Sequence, residues 1–239
     1  MRMVNKRAGS RRLEFEVQPQ PDDTTCGPTC LHAVYAYYGD SIGLDTVIAE
    51  TRSLPEGGTL AVMLACHALR RGYRSDIYTY NLQIFDPTWF HEGKDLSACL
   101  RAQRRAKRDE KLDLATEAYL EFLGLGGRIH YVELTPALIR RFLSNGNPVL
   151  TGLSATYLYS CAREDEEDYD DVAGSPMGHF VVLSGYDRES RVIRVSDPLQ
   201  DNPRFDSQYY DVGVNRIICA ILLGIVTYDA NLLVVRPGE

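Results

Sequence analysis

Among the six cysteines of this 239-residue chain, Cys26 has the surroundings of a nucleophile. It stands in the run Thr24-Thr25-Cys26-Gly27-Pro28-Thr29-Cys30. Proline lacks a backbone N–H and breaks a helix interior, but the first turn tolerates it because N–H groups there have no intrahelical partner. A helix is therefore expected to start just before Pro28, with Thr25 as its N-cap. Leu31, Val34, Tyr35 and Tyr38 then recur at helical spacing until Gly39. At such an N-terminus the peptide dipoles and free N–H groups favour negative charge, and so favour a thiolate over a thiol. The competing reading is that a free cysteine is a small buried hydrophobe. Cys30, one turn deeper on the same face, fits that reading, as do Cys66, Cys99, Cys161 and Cys219.

A cysteine nucleophile needs a base, and His179 is the candidate. It stands at the mouth of Phe180-Val181-Val182-Leu183, an apolar β-branched run that reads as a buried strand. Turn-rich residues 185–190 lead into Arg191-Val192-Ile193-Arg194-Val195, which alternates as a second strand and closes a hairpin. That strand ends in Ser196-Asp197-Pro198, and antiparallel return is expected to bring Asp197 beside His179, where a carboxylate can orient the imidazole. Asp197 also fits as a turn residue before Pro198. His32, His67, His91 and His130 have no comparable partner and are read as structural.

These residues together resemble the papain-like cysteine peptidases, and among them the peptidases that process bacteriocin leaders at double-glycine sites. The resemblance is close over residues 17–39 and holds in outline over 146–198. It rests on Gln20 six residues before Cys26, the Cys-Gly-Pro context, the Gly178-His179-Phe180-Val181-Val182 strand and the Asp197-Pro198 turn. It implies Cys26 as nucleophile, His179 as general base, Asp197 as its orienting carboxylate and Gln20 as oxyanion donor; Gln18 is a second glutamine near the cysteine, and spacing favours Gln20. The chemistry needs these types together, because a thiolate adding to an acyl carbon creates an oxyanion that positioned N–H groups must stabilise. The implied fold is α+β, a helical lobe packed on an antiparallel sheet lobe with the active site in the cleft. No transporter or ATP-binding segment follows residue 198, so the chain reads as a stand-alone relative, and a leader peptide is not carried over as its substrate.

Composition agrees. A hydrophobic content of 44% is ordinary for a globular chain of this length. A net charge of −7 argues against a general nucleic-acid partner, although residues 1–12 are locally basic. That end lacks the apolar segment of a signal peptide and reads as a solvated tail. The apolar run 217–226 is too short to span a bilayer, so no transmembrane segment is expected. The cysteines show neither zinc-ligand nor disulfide-framework spacing, which suggests reduced thiols and a cytoplasmic location. No cofactor is implied, since nucleophile, base and oxyanion donors all come from protein.

The elements that position these residues read as one domain over 1–239: a basic tail 1–13, a helical lobe 14–84 with the nucleophile, an insertion 85–127 without a recognised counterpart, and a sheet lobe 128–239 with the histidine and aspartate. Helices are expected over 44–52, 60–72, 95–123, 136–143 and 214–223, and strands over 73–83, 129–133, 149–153 and 231–235. The dense basic stretch 101–111 reads as a solvated helix face, and the Gly124-Leu125-Gly126-Gly127 run as a turn. The acidic segment 164–171 reads as a mobile solvated loop; as a lid on the cleft it would favour a cationic substrate. The function expected is cleavage of a peptide or isopeptide bond, on a peptide or protein substrate, through a Cys26 thioester. Two alternatives remain at this point, an acyltransferase using the same thioester and a peptide-binding module without chemistry.

Overall fold

A computed structural model describes residues 9–165 and 168–238. Its first element is strand β1 (Ser10–Arg12), followed by helices α1 (Cys26–Tyr37), α2 (Leu44–Glu50) and α3 (Ala61–Arg70). Strand β2 (Arg74–Thr79) precedes α4 (Pro87–His91), α5 (Leu96–Ala106) and α6 (Glu110–Gly124). Then come β3 (Arg128–His130), α7 (Pro136–Ser144), β4 (Val149–Ser154), α8 (Ala155–Tyr159) and the two-residue strands β5 (Glu164–Asp165) and β6 (Asp168–Tyr169). The chain closes with β7 (Gly178–Asp187), β8 (Val192–Ser196), β9 (Tyr209–Gly213), α9 (Val214–Leu223) and β10 (Asn231–Arg236).

The main sheet runs β3-β2-β10-β4-β7-β8-β9, and β1 extends it by pairing with the far end of β7. All pairs are antiparallel except β2 with β3. Successive side chains of a strand point to opposite faces, and β7 shows what this does here. Phe180 and Val182 join Ile77, Leu150, Leu233 and Val235 in one core, with α1, α3, α5 and α6. Val181 and Leu183 join Val149, Leu153, Leu232 and Val234 in a second core, with α7, α8 and α9. Helices thus cover both faces, and strands buried on both faces read as continuous apolar runs.

Local chemistry sets the element ends. Thr135 accepts from the Leu138 N–H with Pro136 in the first turn, as expected for a helix over 136–143. The single helix expected over 95–123 is two, because Asp109 accepts from the Leu112 N–H and starts α6 afresh after a break at 107–109. The segment 85–127 belongs to the first core through Phe85, Leu100, Leu112, Tyr119 and Phe122. Strand β2, from the half read as helical, lies within the sheet.

Two further expectations change. The basic end is not all tail, since residues 10–12 pair with Asp187, Tyr186 and Gly185 and Arg12 bonds Asp211 at 2.7 Å; residues 1–8 lie outside the described residues. The acidic segment is a structured hairpin rather than a loose loop. Its base is closed by the Glu164–Ser175 backbone pair, and Asp170 donates its N–H to the Arg163 carbonyl at 2.8 Å. Glu166 and Glu167 of that segment lie outside the described residues.

Candidate active site

Helix α1 begins at Cys26, as the position of Pro28 requires. Thr25 does not cap it. Its hydroxyl is spent on Asp22, donating to the carbonyl at 3.0 Å and accepting from the N–H at 3.3 Å, so no side chain caps α1. The first-turn donors beside the thiol are left free of a side-chain partner. Gly27 is required there: a Cβ would sit 2.7 Å from Thr59 and 3.2 Å from Phe180, so only glycine lets the start of α1 seat against β7. One turn on, fully buried Cys30 donates its S–H to the Phe180 carbonyl at 3.3 Å and has the core role expected of it.

The hairpin of β7 and β8 delivers the histidine and the carboxylate. The register pairs Val182 with Ser196, so Asp197 falls two residues short of a position opposite His179 and reaches it diagonally along the shared face. His179 Nε2 lies 2.8 Å from Asp197 Oδ1. The Cys26 thiol lies near enough to the same ring to favour its protonated form. All three side chains are buried, Asp197 completely. Burial alone would depress the imidazole, but the Asp197 carboxylate and Cys26 outweigh it and raise His179 to about 10. Asp197 likewise loses solvation, yet His179, the Tyr210 hydroxyl and the Leu199 N–H hold its carboxyl below the ordinary range.

Gln20 is anchored to this site by its backbone, whose N–H donates to the Pro198 carbonyl at 2.9 Å. Its amide Nε2 donates to the Asp22 carbonyl at 2.9 Å, in the turn that carries Thr24 and Thr25. Gln18 is exposed and lines a hollow with His32 and Tyr209. Among the described residues no cluster of His, Cys, Asp or Glu could hold a metal ion.

Sequence reasoning missed Tyr159 and Tyr210. Their hydroxyls both donate to Asp197 Oδ2, at 2.8 and 2.5 Å. It also left open where the acidic hairpin sits. Burial and the Asp23 carboxylate raise the Glu164 carboxyl, and His179 pulls it the other way, so the hairpin base shares the field of the imidazole.

The Peptidase_C39 like family model matches residues 118–215, the part of the chain that contains His179 and Asp197. No curated protein matches the sequence. Among solved structures the chain is similar to a putative C39-like peptidase from Bacillus anthracis, with 15% identity, 95% of this chain and 96% of that one covered, and a TM-score of 0.52. It is also similar to a double glycine motif protease from an AMS/PCAT transporter, in complex with the leader peptide, with 14% identity, coverage of 95% and 94%, and a TM-score of 0.45. Xylellain, a cysteine protease from Xylella fastidiosa, gives 12% identity, coverage of 97% and 87%, and a TM-score of 0.47. At these identities the likeness is one of fold, and the first structure carries it. The family match over 118–215 and the mixed α+β fold bear out the resemblance to the C39-like cysteine peptidases that the sequence carries.

Proposed function

We propose that this chain hydrolyses a peptide or isopeptide bond through a thioester on Cys26, with Cys26, His179 and Asp197 as a catalytic triad and Gln20 in the oxyanion hole. The observation that supports the reading is the buried His179–Asp197 pair, hydrogen-bonded at 2.8 Å, with the Cys26 thiol close enough to the same ring to raise its affinity for a proton. Cys26 Sγ attacks the acyl carbon, and the carbonyl π electrons move to oxygen. That oxyanion takes N–H donors from the Cys26 backbone and from Gln20, whose amide keeps a second N–H beyond the one given to Asp22. The His179 imidazolium gives its proton to the departing amine, and the C–N bond breaks to leave the thioester. Water then adds to the thioester carbon as His179 takes its proton. Return of that proton to sulfur on C–S cleavage frees the acid and restores the thiol.

We keep the chain as one domain, in which the regions 14–84 and 128–239 share one sheet through the β2–β10 pair. The acidic hairpin fits a peptide substrate with cationic residues. Free thiols throughout fit a reducing, cytoplasmic setting.

The test is the pH dependence of iodoacetamide labelling at Cys26, followed by peptide mass mapping, in the wild type and in His179→Ala. Labelling well below the ordinary thiol range of about 8.5, lost in the histidine variant, is the expected result. A Cys26 that reacts no faster than the other cysteines and ignores His179 overturns the proposal.

A further inference from the structure

The geometry points to Tyr159 and Tyr210 as positioning residues of the reaction, a pair of hydroxyls that fix the Asp197 carboxylate and thereby set how strongly it holds the proton of His179. The inference rests on the triad reading above and goes beyond it. Asp197 is fully buried, and its two oxygens are divided between two tasks. Oδ1 faces His179 Nε2 at 2.8 Å and the Leu199 N–H at 2.9 Å. Oδ2 faces two phenols, Tyr159 at the end of α8 and Tyr210 in β9. A buried carboxylate needs donors or a cation to offset lost solvation, and a core tyrosine needs only one acceptor. Two phenols converging on Oδ2 hold that oxygen from two directions, while Oδ1 serves His179 and the Leu199 N–H.

The surroundings lock both rings. Tyr210 stacks on Phe205 with centroids 3.7 Å apart, and Tyr159 meets the same Phe205 edge-on at 6.4 Å. Arg204 donates to the Tyr159 carbonyl at 3.3 Å, and the Asn202 amide oxygen accepts from the Phe205 N–H at 2.7 Å. The main chain of Asp197 is clamped as well, its N–H on the Gln208 carbonyl at 2.8 Å and its carbonyl on the Gln208 amide at 3.1 Å. The carboxylate cannot rotate away from His179 without losing these contacts. Burial pushes both phenols well above their ordinary range, so they stay donors throughout the working pH.

The sign of the effect follows from charge. Each hydroxyl turns a positive hydrogen toward Asp197 and weakens the negative potential that His179 feels. Removing one hydroxyl leaves the carboxylate more dependent on the imidazolium, and His179 then gives up its proton at higher pH. The other groups facing this pair are Cys26 and Cys30 from α1 and Glu164 from the hairpin, and a Tyr→Phe change leaves all of them in place.

The experiment is an NMR titration of histidine-labelled protein, with the His179 signal assigned from His179→Gln. It is run in the Cys26→Ala background, alone and combined with Tyr159→Phe, Tyr210→Phe and both, and once with Cys26 intact. Phenylalanine keeps the stacked rings, and the two tyrosines serve as replicates should one variant fail to fold. Each single change is expected to move the His179 midpoint upward by about one pH unit, the value of one hydrogen bond to a charged group. A purely space-filling role predicts no upward movement, so midpoints that stay or fall overturn the inference. Equal midpoints with and without Cys26 overturn the thiol–imidazole pair instead, and leave the tyrosine result to stand or fall separately.

Discussion

Asp229 has no role in the chemistry above, yet its burial makes a quantitative prediction. The Ala61 N–H at the start of α3 favours its ionised form, while Oδ1 has no hydrogen-bond partner among the described residues. The flanking residues are bent to put it there, Tyr228 at φ 70° and Ala230 at φ 65°, both in the left-handed region that non-glycine residues avoid. Gly152 makes room for it, since a Cβ there would sit 2.5 Å from Asp229 Cγ. Burial raises the carboxyl from its ordinary 3.8 to about 7, with the Ala61 N–H and Lys111 opposing. A folded-state pKa above the unfolded one means that the native state binds the extra proton between those values, so stability is lost as pH rises through that window and is level above it. At about 1.4 kcal/mol per unit the loss is roughly 4 kcal/mol. Asp229→Asn carries no proton to lose. Urea unfolding of both proteins at pH 4 and pH 8 isolates this group, because every other titration is shared. The gap in favour of Asp229→Asn should widen by roughly 4 kcal/mol between the two pH values, which for a chain of this size is on the order of 10 °C in Tm. Any fixed cost of the amide cancels in that difference. A gap that changes by less than about 1 kcal/mol refutes the argument.

Three further outcomes are expected. Gln20→Ala should lower kcat by about 10²–10³ with little change in Tm, because its backbone bond to Pro198 survives and only the exposed bond to the Asp22 carbonyl is lost; an unchanged kcat in a peptide-hydrolysis assay removes Gln20 from the oxyanion hole. Excision of residues 85–127 should abolish cooperative unfolding by circular dichroism, since Phe85, Leu100, Leu112, Tyr119 and Phe122 sit in the first core; a folded, selective enzyme would show the segment to be a dispensable lid. Neutralising Asp165, Asp168 and Asp171 to Asn should lower kcat/KM for lysine-rich peptides and flatten its salt dependence, and a salt-independent kcat/KM in the wild type argues against capture by the hairpin.

The site was legible where backbone constraints left marks in the residue types. Pro28 limited where a helix could start and so put Cys26 at its end. The apolar run after His179 and the turn before Arg191 made a hairpin whose return located Asp197, and the glutamine came from resemblance. Tyr159 and Tyr210 left no such mark, since a tyrosine beside apolar neighbours looks the same whether its hydroxyl meets water or a buried carboxylate. Asp229 is equally silent, because only the packed fold shows that Gly152 makes room for it. Strand β9 was missed because its Tyr-Tyr-Asp-Val-Gly is short and follows a turn-rich loop. The helix break at 107–109 was missed because apolar periodicity continues across it, and only the Asp109 side chain interrupts the backbone ladder. The hairpin at 164–169 reads as a solvated loop since charge dominates its composition, while its order comes from the Glu164–Ser175 pair at its base.

The bond from Cys30 to the Phe180 carbonyl joins residues 150 positions apart, and Cys26 meets His179 across a similar stretch of chain. During synthesis Cys26 is made well before His179, so over that stretch the nascent polypeptide carries the thiol without the imidazole beside it. Only when β7 and β8 have paired and α1 has seated against them does the reactive pair exist. On the proposed triad reading, reactivity is then a property of the finished fold and not of any local stretch of chain.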